Sequence, residues 1–434
     1  MKKVLIITYY WPPMGGGGVQ RWLKTTKYLR EFGWEPVIFT VENGEIAIMD
    51  KEMQDEIPLG IEVIRTKIWE PFHLYKKLMG KKKDEKLLPG MDKGAKNSLT
   101  QRISIWIRGN IFIPDARKFW IKPASKSLNN YLKNNKVDAL VSTGPPHSTH
   151  MIALNVIKKN KLPWLADFRD PWTNIDFYNK LMLSNWADRK HKRLEKEILT
   201  TANEVVTVSW SWATDFEKIC GRKPIVITNG YDPADFIDAG KIALDEKFTI
   251  VHAGSLNEDR NPYALWDALQ ELCNEQEGFK HALEIKFIGQ VAQNVIHSIE
   301  KNQLTSYFKS VGSIPHQQVI THLIKAQLLL LPLNNTPNID GIIPGKLYEY
   351  IGAKRPIVAI GKPTGDSAKI IQETQSGTIT DFDAVAPLKE ILLRHYEAYK
   401  SNTLQVNSGH YEKYSRKVLA GEIAQVLTKI TAAN

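Results

Sequence analysis

The sequence predicts an α/β protein built from two parallel, doubly wound domains. Three observations carry this. Short wholly apolar runs, as in strands buried on both faces, alternate with segments of helical spacing. The alternation starts afresh near residue 247. Between the two series lies a cluster of turn formers, Thr228-Asn229-Gly230-Tyr231-Asp232-Pro233. A chain of 434 residues also suits two domains of ordinary size.

The first series opens with the strand Val4-Leu5-Ile6-Ile7, then four glycines, Gly15–Gly18. Val19, Trp22, Leu23, Thr26 and Leu29 recur at helical spacing, and Gly33 is placed to end that helix. Residues 36–41, 139–142, 164–166 and 205–208 read as further strands, with a charged helix around Trp186–Leu199. In the second series Phe248–His252 is a strand leading into Ala253-Gly254-Ser255, with a helix around Pro262–Leu272. Residues 285–289, 328–331 and 356–360 continue the strands. These signals place an N-terminal domain at 1–235, a C-terminal domain at 236–410, and a last helix within 411–434.

Composition removes several classes. Hydrophobic residues make 43% and charged residues 24%, which excludes wholesale disorder. Two cysteines, Cys220 and Cys273, exclude a disulfide scaffold and a thiolate zinc site, and fit a reducing compartment. No apolar run reaches the roughly 18–20 residues of a membrane span, and Trp11-Pro12-Pro13 interrupts the only signal-like stretch, so a cytoplasmic protein is expected. The net charge is +11, and residues 65–126 hold 16 Lys/Arg against 5 Asp/Glu, the whole of that excess. One basic segment points to one anionic partner surface. Lys76, Lys77 and Lys81–Lys83 stand near Trp69, Phe72, Tyr75, Leu78 and Met79, and Arg102 and Arg108 flank Ile103, Ile105, Trp106 and Ile107. Cations beside apolar and aromatic groups suit an anionic membrane surface.

Residues at the ends of the strands carry the chemistry, since ligands of open α/β sheets bind there. Gly15–Gly18 before a helix suit a phosphate, although the spacing is not that of a dinucleotide fingerprint. His147 follows a strand and is placed to donate to a sugar hydroxyl or move a proton. His150 falls inside the next helix and is given no role. Asp167-Phe168-Arg169-Asp170-Pro171-Trp172 is either a polyol-binding cluster or an internal Arg–Asp clamp. Gly254-Ser255 with Arg260 resembles a phosphate site, and Pro344-Gly345 opens a helix that carries Lys346 and Glu349. The only Asp-x-Asp, Asp381-Phe382-Asp383, reads as a helix cap, and no metal site is expected.

The order of these motifs resembles the GT-B glycosyltransferases, and most closely family 4, the retaining nucleotide-sugar enzymes. The resemblance runs from Pro12-Pro13-Met14 with Gly15–Gly18, through Asp167–Trp172 and the Asn229-Gly230-Tyr231-Asp232 turn. It continues in Gly254-Ser255-Leu256 with Arg260, Val311–His316, Pro344–Tyr350 and Pro356-Ile357-Val358. It implies two Rossmann-like domains facing across a cleft, with the donor mostly on the second and the acceptor mostly on the first. The last helix would cross back to the first domain. Glu349 matches the second acid of the family's Glu-x7-Glu motif, which holds the ribose, and Arg260 matches the cation on the diphosphate. Two positions depart: Ser255 stands where an arginine is frequent, and Gly341 where the first acid belongs, with Asp340 adjacent.

The resemblance thus implies a hexosyl-type transferase acting with retention. Gly16, Gly17, Gly254, Ser255, Arg260, Asp340, Pro344, Gly345, Lys346 and Glu349 would bind the donor. Gly18, His147, Arg169 and Asp170 would bind the acceptor, and Arg260, His147 and Asp170 would act in the reaction. No cofactor or metal is implied, because cations and helix N-termini would carry the leaving diphosphate. The acceptor would be a glycan or lipid-linked molecule of envelope polysaccharide or glycolipid synthesis, met at the inner face of the membrane through the 65–126 segment. Other readings are a nucleotide-sugar 2-epimerase of the same fold, a non-catalytic nucleotide-sugar binder, and a nucleic-acid binder. The last lacks any recognisable RNA- or DNA-binding motif, and no nucleic acid is expected.

Overall fold

The computed structural model describes residues 1–46, 49–70, 99–406 and 409–432. The chain forms two units, Met1–Thr228 with Lys417–Asn434, and Asn229–Arg416. The sequence-based boundaries at 235/236 and 410/411 differ from these by a few residues. The turn cluster belongs to the second unit from Asn229 onward, because Tyr231 pairs with Ser415 and exchanges backbone hydrogen bonds with Tyr414 and Arg416.

The first unit is a seven-stranded parallel sheet. Its strands are β1 (Lys2–Ile7), β2 (Trp34–Val41), β3 (Glu62–Thr66), β4 (Ala139–Gly144), β5 (Trp164–Phe168), β6 (Glu204–Thr207) and β7 (Ile225–Val226), in the order β3-β2-β1-β4-β5-β6-β7. Val4, Leu5, Ile6 and Ile7 are fully buried, as a central strand covered on both faces requires. The last helix, Arg416–Ala432, packs in this unit: Thr428 accepts from Trp34 Nε1, Thr431 accepts from Lys2 Nζ, and Lys417 pairs with Glu31.

The second unit has six parallel strands, β8 (Phe248–Ala253), β9 (Leu283–Ile288), β10 (Phe308–Gly312), β11 (Leu328–Pro332), β12 (Ile357–Ile360) and β13 (Gly377–Thr380). Their order is β10-β9-β8-β11-β12-β13. Phe248, Ile250, Leu265, Trp266, Leu269, Ile285 and Phe287 form its buried core. In each unit the strand order reverses beside the first strand, at β1/β4 and at β8/β11. Those are the switch points where loops diverge and leave room for ligands.

Asp381 and Asp383 do not cap a helix through their side chains. The Asp381 carboxylate accepts from the Phe382 amide, and the helix Val385–Lys400 begins without a side-chain cap.

Candidate functional site

In the first unit the rim at the ends of β1, β4 and β5 gathers the glycine loop, His147 and the 167–172 loop. Asp167, wholly buried at the end of β5, is the anchor. Arg21, on the helix Gly17–Leu29, grips it through Nε and Nη2, and Trp22 Nε1 and Thr143 Oγ1 also donate to it. Burial works to raise the pKa of this carboxyl, but the Arg21 guanidinium and the other donors outweigh it and hold it below the ordinary value. The expected Arg–Asp clamp therefore exists, with Arg21 as its cation rather than Arg169. Arg21 also donates to the carbonyls of Ile227 and Thr228, fastening the end of the first unit.

Arg169 has a different use. Its guanidinium donates to the Gly18 carbonyl at 2.8 Å and to the Pro145 carbonyl, and it lies over the Tyr10 ring. It stitches the glycine loop to the loop after β4. Asp170, half-buried beside it, makes no hydrogen bond or ion pair among the described residues. Burial pushes its carboxyl pKa up, against the pull of Arg169.

His147 immediately precedes the helix Ser148–Asn160 and stacks flat on Trp172, 4.7 Å between centroids and 4° between planes. Its Nδ1 is buried without a hydrogen-bond partner among the described residues. Burial, then its neighbours His150 and Arg169, push its pKa far down, so it is a neutral imidazole. His150 lies inside that helix, fully buried, with Nδ1 against Ser142 Oγ at 2.8 Å.

Two residues missed in the sequence hold this rim. The indole Nε1 of Trp172 donates to His191 Nδ1, so the proton of His191 sits on Nε2, facing the Gly109 carbonyl at 3.1 Å. Glu195 accepts from the Trp172 and Thr173 amides and from the Thr173 hydroxyl. Both sit on the helix Asn185–Thr201, whose charge-rich sequence hides a buried polar face.

In the second unit the corresponding rim lies at the ends of β8, β10 and β11. Gly254 (φ +110°) and Gly289 (φ +122°) pack backbone to backbone, and a Cβ on Gly289 would come within 2.8 Å of Gly254. Only glycines allow both that approach and those dihedrals. Tyr350, on the helix Gly345–Ala353, accepts from the Ala253 amide and donates to the Leu330 carbonyl, locking helix to sheet. That helix opens at Pro344, whose carbonyl accepts from the Leu347 amide, and the Gly345 and Lys346 amides precede the intrahelical ladder.

Lys346 and Glu349 stand one turn apart on this helix. Lys346 Nζ rests 2.6 Å from where a Cβ of Gly254 would be, and 3.4 Å from His252 Nε2. Glu349 Oε1 meets His316 Nε2 at 3.3 Å. Arg260 is steered by Asn334, which accepts from its Nε, and lies by the Ser255 carbonyl. The Gly254 turn, Lys346, Arg260 and Glu349 thus share one rim. Asp340 pairs with Lys362 at 2.7 Å, on a short turn at Ile339–Gly341. His252 and His316 join the site unforeseen: the first sits in an apolar strand and the second ends a loop motif.

Two doubly wound parallel sheets of this kind form a GT-B fold. Solved structures of that class match over nearly the whole chain. Sucrose-phosphate synthase from Thermosynechococcus elongatus covers 100% of both chains at 12% identity and a TM-score of 0.64. WaaG, a glycosyltransferase involved in lipopolysaccharide biosynthesis, covers 98% of this chain and 99% of its own at 15% identity and 0.56. The UDP-GlcNAc 2-epimerase from Methanocaldococcus jannaschii covers 98% and 99% at 12% identity and 0.53. No protein-family model matches the sequence, and no curated protein matches it significantly.

Proposed function

We propose that the protein is a retaining glycosyltransferase that moves a sugar from a nucleotide-sugar donor to a glycan or lipid-linked acceptor. The observation that carries this reading is the rim of the second unit. A ribose-type acid, Glu349, and two cations, Lys346 and Arg260, are set around the Gly254 turn at a helix N-terminus. Such a set suits a nucleoside diphosphate: the acid accepts ribose hydroxyls, and cations and amides take the phosphates. Arg260 and the helix dipole then oppose the charge that grows on the leaving diphosphate. The acceptor falls to the first unit, where Asp170 keeps a carboxylate for an acceptor hydroxyl and His147 offers a neutral imidazole. In a retaining reaction a donor phosphate oxygen takes the acceptor proton, so neither need be a strong base.

A lipid-linked acceptor at an anionic membrane surface fits the first unit's outer face. The helix Leu99–Asn110 buries Ser104, Gly109 and Asn110 and exposes Leu99, Ile103 and Trp106. Arg102 and Arg108 are exposed with them, and Ile105 and Ile107 are half-buried. Beside the exposed Trp69 and Phe119 stands Lys118, and Lys190 lies over the exposed Trp186 at 4.7 Å. The lysines at 76–83 lie outside the described residues. No described helix is long and apolar enough to cross a membrane.

The test is product analysis with UDP-sugars, first with donor alone and then with candidate acceptors. Transfer that needs an acceptor and keeps the anomeric configuration supports the reading. Conversion of donor alone to its C2 epimer would replace it with the epimerase. Glu349→Ala should weaken UDP binding by ~2 kcal/mol or more by calorimetry, the scale of charge-assisted hydrogen bonds. Unchanged affinity in a folded variant would move the nucleotide off this rim.

A further inference from the structure

Lys346 is a lysine whose bonded partner is an imidazole rather than a carboxylate. Its Nζ lies 3.4 Å from His252 Nε2, while Glu349, one turn along the same helix, pairs with His316. His252 Nδ1 lies 3.0 Å from the Leu330 carbonyl, which only accepts, and the ring also hydrogen-bonds to the Ser255 backbone. The ring is fully buried, and burial, then the charge of Lys346, hold its pKa far below the ordinary histidine value. It is a neutral imidazole and cannot balance an ammonium. The charges that face Lys346 are Arg260, which repels it, and Glu349, which attracts it. With burial as the largest influence, its pKa is lowered to about 7.

We propose that Lys346, resting on His252, is a proton-linked phosphate ligand that takes up a proton as a nucleoside diphosphate binds and supplies the cation missing at Ser255. This rests on the nucleotide-sugar reading above and adds its regulation by pH. In the empty site the charge of the lysine is held weakly, and the neutral ring of His252 beside it does not compete with an anion. A diphosphate against Gly254 brings several negative charges to Nζ, which favours the ammonium. One proton at most passes from water or buffer to the amine, and no covalent bond changes. By linkage, the extra affinity from the charged lysine is fully present below the free-state pKa. It declines as pH rises through about 7 toward the higher pKa of the bound state. An arginine at position 255 would stay charged throughout and give no such dependence.

Calorimetric titration of the full chain with UDP, in buffers of different ionisation enthalpy, counts the protons. UDP exchanges protons of its own, so the wild type is compared with Lys346→Arg and Lys346→Met. Above about pH 7 the wild type should take up more of a proton than either variant, and the excess should fall away at lower pH, where the free lysine is already charged. Lys346→Met, checked for folding by its thermal melt, should bind UDP at least ~10-fold more weakly at pH 6.5. Equal proton counts in wild type and variants, or full affinity in Lys346→Met, would overturn the inference alone. If the wild type does not bind UDP at any pH, the nucleotide reading falls with it.

Discussion

Asp167 shows what a single residue does here. A wholly buried carboxylate persists only when donors fill its lone pairs and a cation balances its charge. Arg21, Trp22 and Thr143 meet both conditions. Asp167→Asn would leave the Arg21 guanidinium buried beside a neutral amide, and breaking such a pair costs about 3–5 kcal/mol. The urea midpoint of the variant, followed by tryptophan fluorescence, should drop accordingly. The pH dependence has a definite sign. The folded pKa of Asp167 is depressed, so its contribution is present above the ordinary carboxyl value near ~4 and is lost as pH falls through the folded value. The gap between wild type and variant should therefore stay constant from neutrality down to about pH 4 and close only below it. A gap that closes between pH 7 and 5 would assign the effect to another group. The sequence placed Asp167 at a strand end but could not name its partner. Arg169 is the adjacent cation, whereas Arg21 reaches Asp167 across 146 positions of chain.

At the scale of elements, legibility followed burial. Central strands such as Val4–Ile7 and Leu328–Leu331 announce themselves because both faces are covered and every residue is apolar. β3 and β10 are edge strands with half-exposed residues such as Arg65 and Lys309, and no apolar run marks them. β7 has two residues, too few for any period. The helix Leu99–Asn110 reads from its sequence as suiting a membrane surface, and its Ile103 and Trp106 face outward beside the exposed Arg102 and Arg108. Its prediction is specific. The wild type should co-sediment with anionic vesicles at low salt and less as salt screens the cations, each worth about 1 kcal/mol near such a surface. Ile103→Asp with Trp106→Asp should abolish sedimentation while leaving UDP affinity unchanged. A double variant that still sediments would move the contact elsewhere on the unit. A wild type that self-associates in solution and ignores vesicles would make this face a contact between copies.

For the whole molecule, the repeated grammar of strand, turn and helix made the two-sheet architecture readable, because the same burial rule operates in both halves. The chemistry was readable where strand ends meet glycine turns and less so where distant elements supply partners, as the strand residue His252 and the helix residue His316 do. This division bears on metal use. Divalent cations serve in sugar transfer by neutralising a diphosphate as it leaves. On the proposed reading, Lys346, Arg260 and the first turn of the Gly345–Ala353 helix in the second unit would do so from the protein itself. The Asp381-Phe382-Asp383 stretch follows β13, the edge strand of that sheet, with β12 between it and β11. Its first carboxylate is engaged with the Phe382 amide. Transfer should therefore proceed at an essentially unchanged rate after treatment with excess EDTA. Arg260→Ala, which removes one of the protein's own cations, should lower kcat more than it raises KM, since the charge it opposes grows in the transition state. Added Mg²⁺ would then partly restore the variant and leave the wild type unaffected. A wild type that loses activity in EDTA and regains it with Mg²⁺ or Mn²⁺ would show that the diphosphate is neutralised by an ion instead. Arg260 and Lys346 would in that case act in binding rather than in bond breaking.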